Sequence, residues 1–298
     1  MDGDAEREQR ADRWAPWALP CVVLIWGLNF PISKGALQVF GPHAFNAVRF
    51  SIAALVLGLL ALRGREPLFA RDTPWLAVFG LSMLGQLVYQ VCFIEGLNRT
   101  TSGLASLCIS TSPLWTALCA HLLGQEQVRG RRWLGLAVAF CGASFLALAK
   151  GGLREDGATV AGNVLSLVGA MLWGSYSVAA KPLLRRIAPL RLAFLAALFS
   201  LPGHALLGTL EGWPDFGALS AKNWGALFWA GGLSVGVAYF LWNFGVERVG
   251  ASRTAIWANL VPALAVLASW PLLGEPVRLV HVAGGALVLG GLALVRKS

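Results

Sequence analysis

The chain has 298 residues, of which 56% are hydrophobic and only 13% charged, with a mean hydropathy of +0.64. That leaves too few polar residues to cover a soluble globule, so the composition is that of a membrane protein. The formal charge of +9 does not point to nucleic acid, because the basic residues are dispersed through loops between apolar runs and form no patch with interleaved aromatics.

The first residues mix Asp2, Asp4, Glu6 and Glu8 with Arg7, Arg10 and Arg13, and residues 1–16 read as a cytoplasmic tail. The apolar run that follows has no small-residue cleavage site, so it reads as a retained span and not a signal peptide. A span needs about 20 mostly apolar residues to cross roughly 30 Å of hydrocarbon. Ten such stretches fit, near 17–36, 44–62, 74–97, 102–123, 132–149, 160–180, 190–210, 222–246, 252–273 and 278–295. Seven tryptophans, Trp14, Trp17, Trp75, Trp133, Trp213, Trp224 and Trp270, fall near span ends, where an amphipathic ring prefers the headgroup level. The five cysteines lie in apolar runs without metal-ligand spacing and read as small core hydrophobes.

The chain also repeats itself. Trp26-Gly27, Lys34 and Pro42 recur at the same intervals as Trp173-Gly174, Lys181 and Pro189. Further on, Gly96, Arg99, Pro113, Glu126, Gly135 and Gly142 match Gly245, Arg248, Pro262, Glu275, Gly284 and Gly291. Loop charge is opposite in the two copies: residues 38–43 carry no Lys or Arg, whereas the matching stretch holds Lys181, Arg185, Arg186 and Arg191. One loop later, Arg63, Arg65 and Arg71 are matched by a segment from Glu211 to Lys222 with a single base. Since basic loops stay cytoplasmic, the two halves are expected upside down relative to each other, with both termini in the cytoplasm. The expected organisation is therefore an all-α integral membrane protein with ten transmembrane helices in two inverted five-helix repeats. The repeats cover residues 17–149 and 160–298, joined by an external linker at 150–159. Inverted repeats are the ground plan of many secondary transporters.

Polar residues inside the spans mark where a cavity is expected. Arg49 costs about 2.5 to 3.5 kcal/mol near a span centre on insertion scales. It either snorkels to the outer headgroups or faces the bundle interior near Glu95, and the second half has Ala196 at the matched place. Gln86 and Gln90 sit four apart beside Tyr89, so both amides share one helix face, and Tyr239, Trp242 and Asn243 cluster similarly. These faces point inward, whether for interhelical hydrogen bonds or for a ligand. Asn29 before Pro31, and Asn259 before Pro262, lie where proline frees backbone carbonyls. Trp26, Trp115, Trp173 and Trp257 lie well inside spans or beside small polar residues, with Tyr176 one turn after Trp173. Ser102, Ser106 and Ser110 read as a close-packing stripe, and Glu126 and Glu275, each before a following helix, as dipole or cap partners. No aspartate lies in a span and no hydrolytic motif is present, so no catalytic residues are expected.

The segments EGLNRTTSGLASLCISTSPLWTALCAHLLGQE and FGVERVGASRTAIWANLVPALAVLASWPLLGEP resemble the paired signature of the EamA family of the drug/metabolite transporter superfamily, over nearly the full chain. Glu95 departs from that pattern, where a small or apolar residue is expected. The resemblance implies ten helices, a central cavity lined largely by helices 1, 3 and 4 with 6, 8 and 9, and carriage of small organic solutes, often by export. The expected function is a secondary, alternating-access transporter of a small organic metabolite in the bacterial inner membrane, such as an apolar or aromatic amino acid or a drug-like amphiphile. No cofactor, metal or nucleic-acid partner is expected, and the chain is expected to act as a monomer or weak homodimer. A membrane-embedded lipid-modifying enzyme and a non-transporting scaffold are the rival readings. The expected substrate-binding residues are Trp26, Asn29, Arg49, Gln86, Tyr89, Gln90, Trp115, Trp173, Tyr176, Tyr239, Trp242, Asn243, Trp257 and Asn259.

Overall fold

The computed structural model describes residues 2–63, 67–125, 127, 131–148 and 157–297. Among them there is no strand, and the chain forms ten helical rods. They are α1 (Asp2–Ala36), α2 (Pro42–Leu62), α3 (Trp75–Arg99), α4 (Ser102–Leu122), α5 (Arg131–Leu148), α6 (Gly157–Leu184), α7 (Pro189–Glu211), α8 (Ala221–Val249), α9 (residues 251–273) and α10 (Leu279–Lys297). All except α5 and α10 contain a stretch long and apolar enough to cross a membrane, eight in total among the described residues. The apolar stretches of α5 and α10 are shorter, Trp133–Gly142 and Leu279–Gly291, and these two helices pack along each other. Large apolar side chains such as Leu55, Leu76, Leu206, Leu210 and Leu267 stand exposed around the bundle, as a lipid-facing belt does.

Helix boundaries follow local chemistry. Pro42 and Pro189 begin α2 and α7, where the missing N–H costs nothing and the fixed φ is already helical. Gly250 (φ +89°) and Gly274 (φ +67°) end α8 and α9 in backbone conformations that a side chain would strain. Two helices extend beyond the expected spans at the termini of the repeats. The helix of the first span begins at Asp2 and so includes residues 2–16 of the expected tail. Likewise α6 starts at Gly157, inside the stretch expected as a linker, and residues 150–156 lie outside the described residues. Glu126, expected as a cap, also lies outside them.

Side-chain contacts fix the relative direction of the halves. Thr100 Oγ1 donates to Asn163 Oδ1 (2.7 Å), which puts the start of α6 beside the end of α3. Lys34 Nζ donates to the Leu97 and Asn98 carbonyls (both 2.9 Å), placing the end of α1 at the same level. The last turn of α1 thus lies level with the first two turns of α6, and the second half runs opposite to the first. Exchanging the halves also maps the packing onto itself: α2 against α7 and α5 against α10 are self-matched, α1 on α9 matches α6 on α4, and α3 on α6 matches α8 on α1. The repeated glycines show the reason at atomic scale. A Cβ on Gly27 would lie 2.6 Å from Leu264 Cβ in α9, and one on Gly174 would lie 2.9 Å from Trp115 Cβ in α4. Small residues here let helix backbones approach, which in lipid replaces the expulsion of water as the source of association.

One end of the bundle carries Arg63, Arg71, Arg185, Arg186, Arg191, Arg248 and Arg253 and is termed the basic end. At this end Arg191 Nε donates to the Leu68 carbonyl (3.1 Å) and its guanidinium to Thr73, tying the loop before α3 to the start of α7. The opposite, far end is sealed by polar contacts. Glu275 accepts from the Ser102 amide (3.1 Å) and hydroxyl (2.5 Å) at the start of α4, and Glu211 accepts from the His43 and Ala44 amides (2.8 Å each) at the start of α2. Both carboxylates meet the positive end of a helix dipole. His43 also contacts Glu95 (3.0 Å), which pairs with Arg99. Trp133, Trp213, Trp224 and Trp270 are exposed at or near helix ends, and Trp17 is exposed at the start of the apolar stretch of α1. The cysteines are free, but only Cys108 is buried; Cys21 and Cys141 face outward and do not serve the core.

Candidate functional site

Irregular backbone converges at the middle of the bundle. Within α3, Met83–Val88 is π-helical, and within α8 so is Trp229–Val237, at the matched place in the repeat. A π-helical stretch leaves carbonyls off the regular ladder and often marks a functional site. Two carbonyls of these stretches receive side chains: Trp26 Nε1 donates to Ser234 O (3.1 Å), and His204 Nε2 lies 2.8 Å from Gln86 O. The rods α4 and α9 are broken at matched points as well. The first breaks at Ser110–Thr111 ahead of Pro113, the second through a 3₁₀ turn at Ala258–Leu260 ahead of Pro262. No break occurs at Pro31, since α1 is continuous through it.

Between these four elements lies a closed aromatic cage. Trp173 is its hub, with ring centroids 5.3 Å from Trp26, 5.1 Å from Tyr89, 5.0 Å from Tyr176, 5.0 Å from Tyr239 and 5.3 Å from Trp242. Most of these pairs are edge-on or tilted, the arrangements that the ring quadrupole favours. A void of about 40 Å³ sits beside the cage, lined by Trp26, Asn29, Phe30, Arg49, Tyr89, Gln90, Phe93, Trp173 and Tyr239, with Ser106, Ile109, Ser110 and Ser112 from α4, Ser234 from α8, and Ala258 and Val261 from α9. A drug-sized ligand occupies roughly 300 Å³ or more, so the cage must open to admit one. On the far side Phe30 meets Phe93 edge-on at 5.4 Å, beneath the sealed end. A separate cleft of about 520 Å³ separates α3 from α6 near the basic end, lined by Pro74, Leu81, Leu84, Pro182 and Arg186 among others.

A chain of polar side chains crosses the centre. The Arg49 guanidinium donates to Gln90 Oε1, and Gln90 Nε2 donates to Tyr239 Oη (2.5 Å). In the register set by Gly96 and Gly245, Gln90 and Tyr239 are each other's counterparts, and in that set by Lys34 and Lys181 so are Trp26 and Trp173. Both pairs touch, so the pseudo-twofold axis passes through the cage. Behind it Tyr176 Oη donates to Asn243 Oδ1 (3.1 Å), and Trp242 Nε1 donates to Ser177 Oγ (3.3 Å). Arg49 is 1% exposed and does not reach the headgroups; nor does it pair with Glu95, whose partners are His43 and Arg99.

Of the residues expected from sequence, Trp26, Asn29, Arg49, Tyr89, Gln90, Trp173 and Tyr239 line the void, and Gln86, Tyr176, Trp242 and Asn243 are buried around it. Trp115, Trp257 and Asn259 are not brought to it. Trp115 follows the α4 break and turns to Phe140 of α5 (6.1 Å), Trp257 is exposed, and Asn259 lies in the 3₁₀ turn between two lining residues. Phe30, Phe93 and Ser234 line the void and His204 meets Gln86 without being expected from sequence, and Ser106 and Ser110, for which packing is the favoured sequence reading, line it too. A histidine inside an apolar span is the signal that the sequence offers for His204.

The EamA-like transporter family model matches residues 13–148 and 160–297, one copy per half. Among curated proteins, a "Probable terminal-alkyne amino-acid exporter" of Streptantibioticus cattleyicolor is 30% identical, over 95% of this chain and 93% of that protein. An uncharacterized transporter of Archaeoglobus fulgidus is 28% identical over 95% and 98%, and a "Probable amino-acid metabolite efflux pump" of Salmonella typhimurium 25% over 91% and 91%. One solved crystal structure shares the fold, with a TM-score of 0.69, 22% identity and coverage of 95% of this chain and 96% of that one.

Proposed function

The chain belongs to the EamA-like transporter family, and from that premise we propose that it is an alternating-access secondary transporter exporting a small organic metabolite with an apolar or aromatic body. The apolar or aromatic amino acids fit this description, as do drug-like amphiphiles. One observation carries the reading: the aromatic cage is built from both inverted halves, on their pseudo-twofold axis, and encloses a few polar groups. Midplane sites at a repeat interface are where secondary transporters bind their cargo. The names of the S. cattleyicolor relative, a probable terminal-alkyne amino-acid exporter, and of the S. typhimurium relative, a probable amino-acid metabolite efflux pump, support the same class. The far-end seal and the cleft at the basic end suit a state closed to the outside. In this reading α5 and α10 complete ten spans, residues 150–159 are external, and the basic end is cytoplasmic with both termini. Cysteine reagents that cannot cross the membrane should then reach a tag at either terminus only from the cytoplasm, and labelling from outside would overturn that orientation.

The function is tested in liposomes. Vesicles holding the purified protein and loaded with a mixture of apolar and aromatic amino acids and amphiphiles should release one class faster than protein-free vesicles; release of none returns the scaffold reading. In the same assay the double variant Gln90→Leu, Asn243→Leu should still insert, since leucine is favourable in a span by some tenths of a kcal/mol. It breaks the Arg49–Gln90–Tyr239 chain and leaves the Tyr176 hydroxyl without its acceptor, at a cost of about 1–3 kcal/mol for each stranded group. Transport per folded molecule should fall. Undiminished transport by folded protein would remove these amides from the site.

A further inference from the structure

Arg49 is a cation without a counter-anion. It is 1% exposed, and among the described residues no carboxylate lies within ion-pair distance of it. Its one hydrogen bond goes to the neutral amide of Gln90, and its Nε is buried with no partner at all. Phe45, Phe50 and Phe93 stand 5.5–5.8 Å from the guanidinium carbon and offer only ring faces. Arginine keeps its proton even in such surroundings, so the charge persists. A lone buried charge is tolerated when a partner arrives during function, and this one lines the void beside Asn29, Ser106 and Ser110, which add amide and hydroxyl groups.

We propose that Arg49 is the anchor for a carboxylate on the transported molecule, whose apolar body takes the place opened among Trp26, Trp173 and Tyr239. The inference rests on the exporter reading and narrows it to solutes that carry an acid group. A guanidinium presents a planar fork that matches a carboxylate with two parallel hydrogen bonds. The incoming oxygens replace the Gln90 amide as acceptor and meet the unpaired Nε. Gln90 is then released from Arg49 while keeping Tyr239 within reach, so arrival of the acid is felt by the residue that joins the two halves across the axis. Because Ala196 occupies the matched place in the second half, the anchor is present on one side only.

The test uses thermal stabilisation of the detergent-solubilised full chain by four probes sharing one ring: L-phenylalanine, 3-phenylpropanoate, phenethylamine and 2-phenylethanol. The two acids should raise the melting temperature, and the amine and alcohol should not. Arg49→Met should abolish the response to the acids while melting no lower than the parent chain without ligand, since it deletes an uncompensated charge. Arg49→Lys should keep a weakened response. Equal stabilisation by the amine or alcohol, or an undiminished acid response in Arg49→Met, would overturn the anchor. A loss of stability in both variants with the acid response kept per folded molecule would assign Arg49 to structure and overturn it equally. If the neutral or amine probe binds and the acids do not, the exporter reading survives and the anchor fails; if none of the four binds, both fall.

Discussion

Trp173→Ala should abolish transport by folded protein and lower its stability by about 3–5 kcal/mol, the range for removing a large buried aromatic. Trp173 is 3% exposed and touches five other rings, so no other single side chain carries as much of the cage. Within a bilayer the loss is one of packing and not of water expulsion, because the alternative solvent is itself apolar; the cavity left behind forfeits dispersion contacts outright. Trp26 would lose its edge-on partner, and Tyr239 its flank, so the rings proposed to part and close around a solute would no longer return to one arrangement. Trp173→Phe keeps part of the stack and should restore stability more fully than transport. Melting temperature and initial release rate measured on the same reconstituted samples check both statements. Near-parental transport by Trp173→Ala would mean that the cage is a structural core and the cargo passes elsewhere.

Gly231→Val should give little or no folded protein. A Cβ at this position, in the π-helical stretch of α8, would lie 2.4 Å from the Arg49 carbonyl oxygen and 3.0 Å from its Cα. Those are backbone atoms of α2 and cannot swing aside as a side-chain tip would. Overpacking typically costs about 1–3 kcal/mol and more when nothing yields. Here it would also push α8 from α2 at the level of Arg49. Gly225 lies two turns earlier on the same helix with open space around it. Gly225→Ala should therefore be neutral or stabilising by up to about 1 kcal/mol through helix propensity. Fluorescence size-exclusion profiles of the two variants, run side by side, separate close approach from a general intolerance of α8 to side chains. A monodisperse Gly231→Val would show that the helices can separate here without cost.

The contrast between these two glycines illustrates what the sequence makes legible. Span positions were readable because apolar runs are bounded by arginines, glycines and prolines that fall at observed helix ends, as Pro42, Pro189 and Gly274 do. The inverted repeat was readable because Trp26-Gly27 and Trp173-Gly174 recur with opposite loop charge. Depth was therefore available, but rotation about each helix axis was not. Glu95 and Arg49 lie at similar depth, which leaves a meeting of the two as one of the two readings of Arg49, yet they point into different neighbourhoods, Glu95 to His43 and Arg49 to Gln90. The π-helical stretches and the breaks in α4 and α9 compound this, since each changes the angular step per residue. Trp115, counted on a regular helix, was assigned to the centre; beyond the break it faces Phe140. Gly225 and Gly231 look alike in sequence for the same reason.

The self-matching packing of the two halves has an energetic corollary. If every contact in one half had an equivalent in the other, the forms open to either face would be mirror exchanges of the same interactions and close to equal in population without any input. Any lasting preference must then come from positions where the copies differ. Arg49 opposite Ala196 is the most costly of these differences, placed beside the Gln90–Tyr239 contact on the axis. A shift of about 1.4 kcal/mol at such a position changes the ratio of the two forms tenfold. In the proposed alternating-access cycle, the resting bias can thus be rewritten by one codon, without altering a single residue that the two halves hold in common.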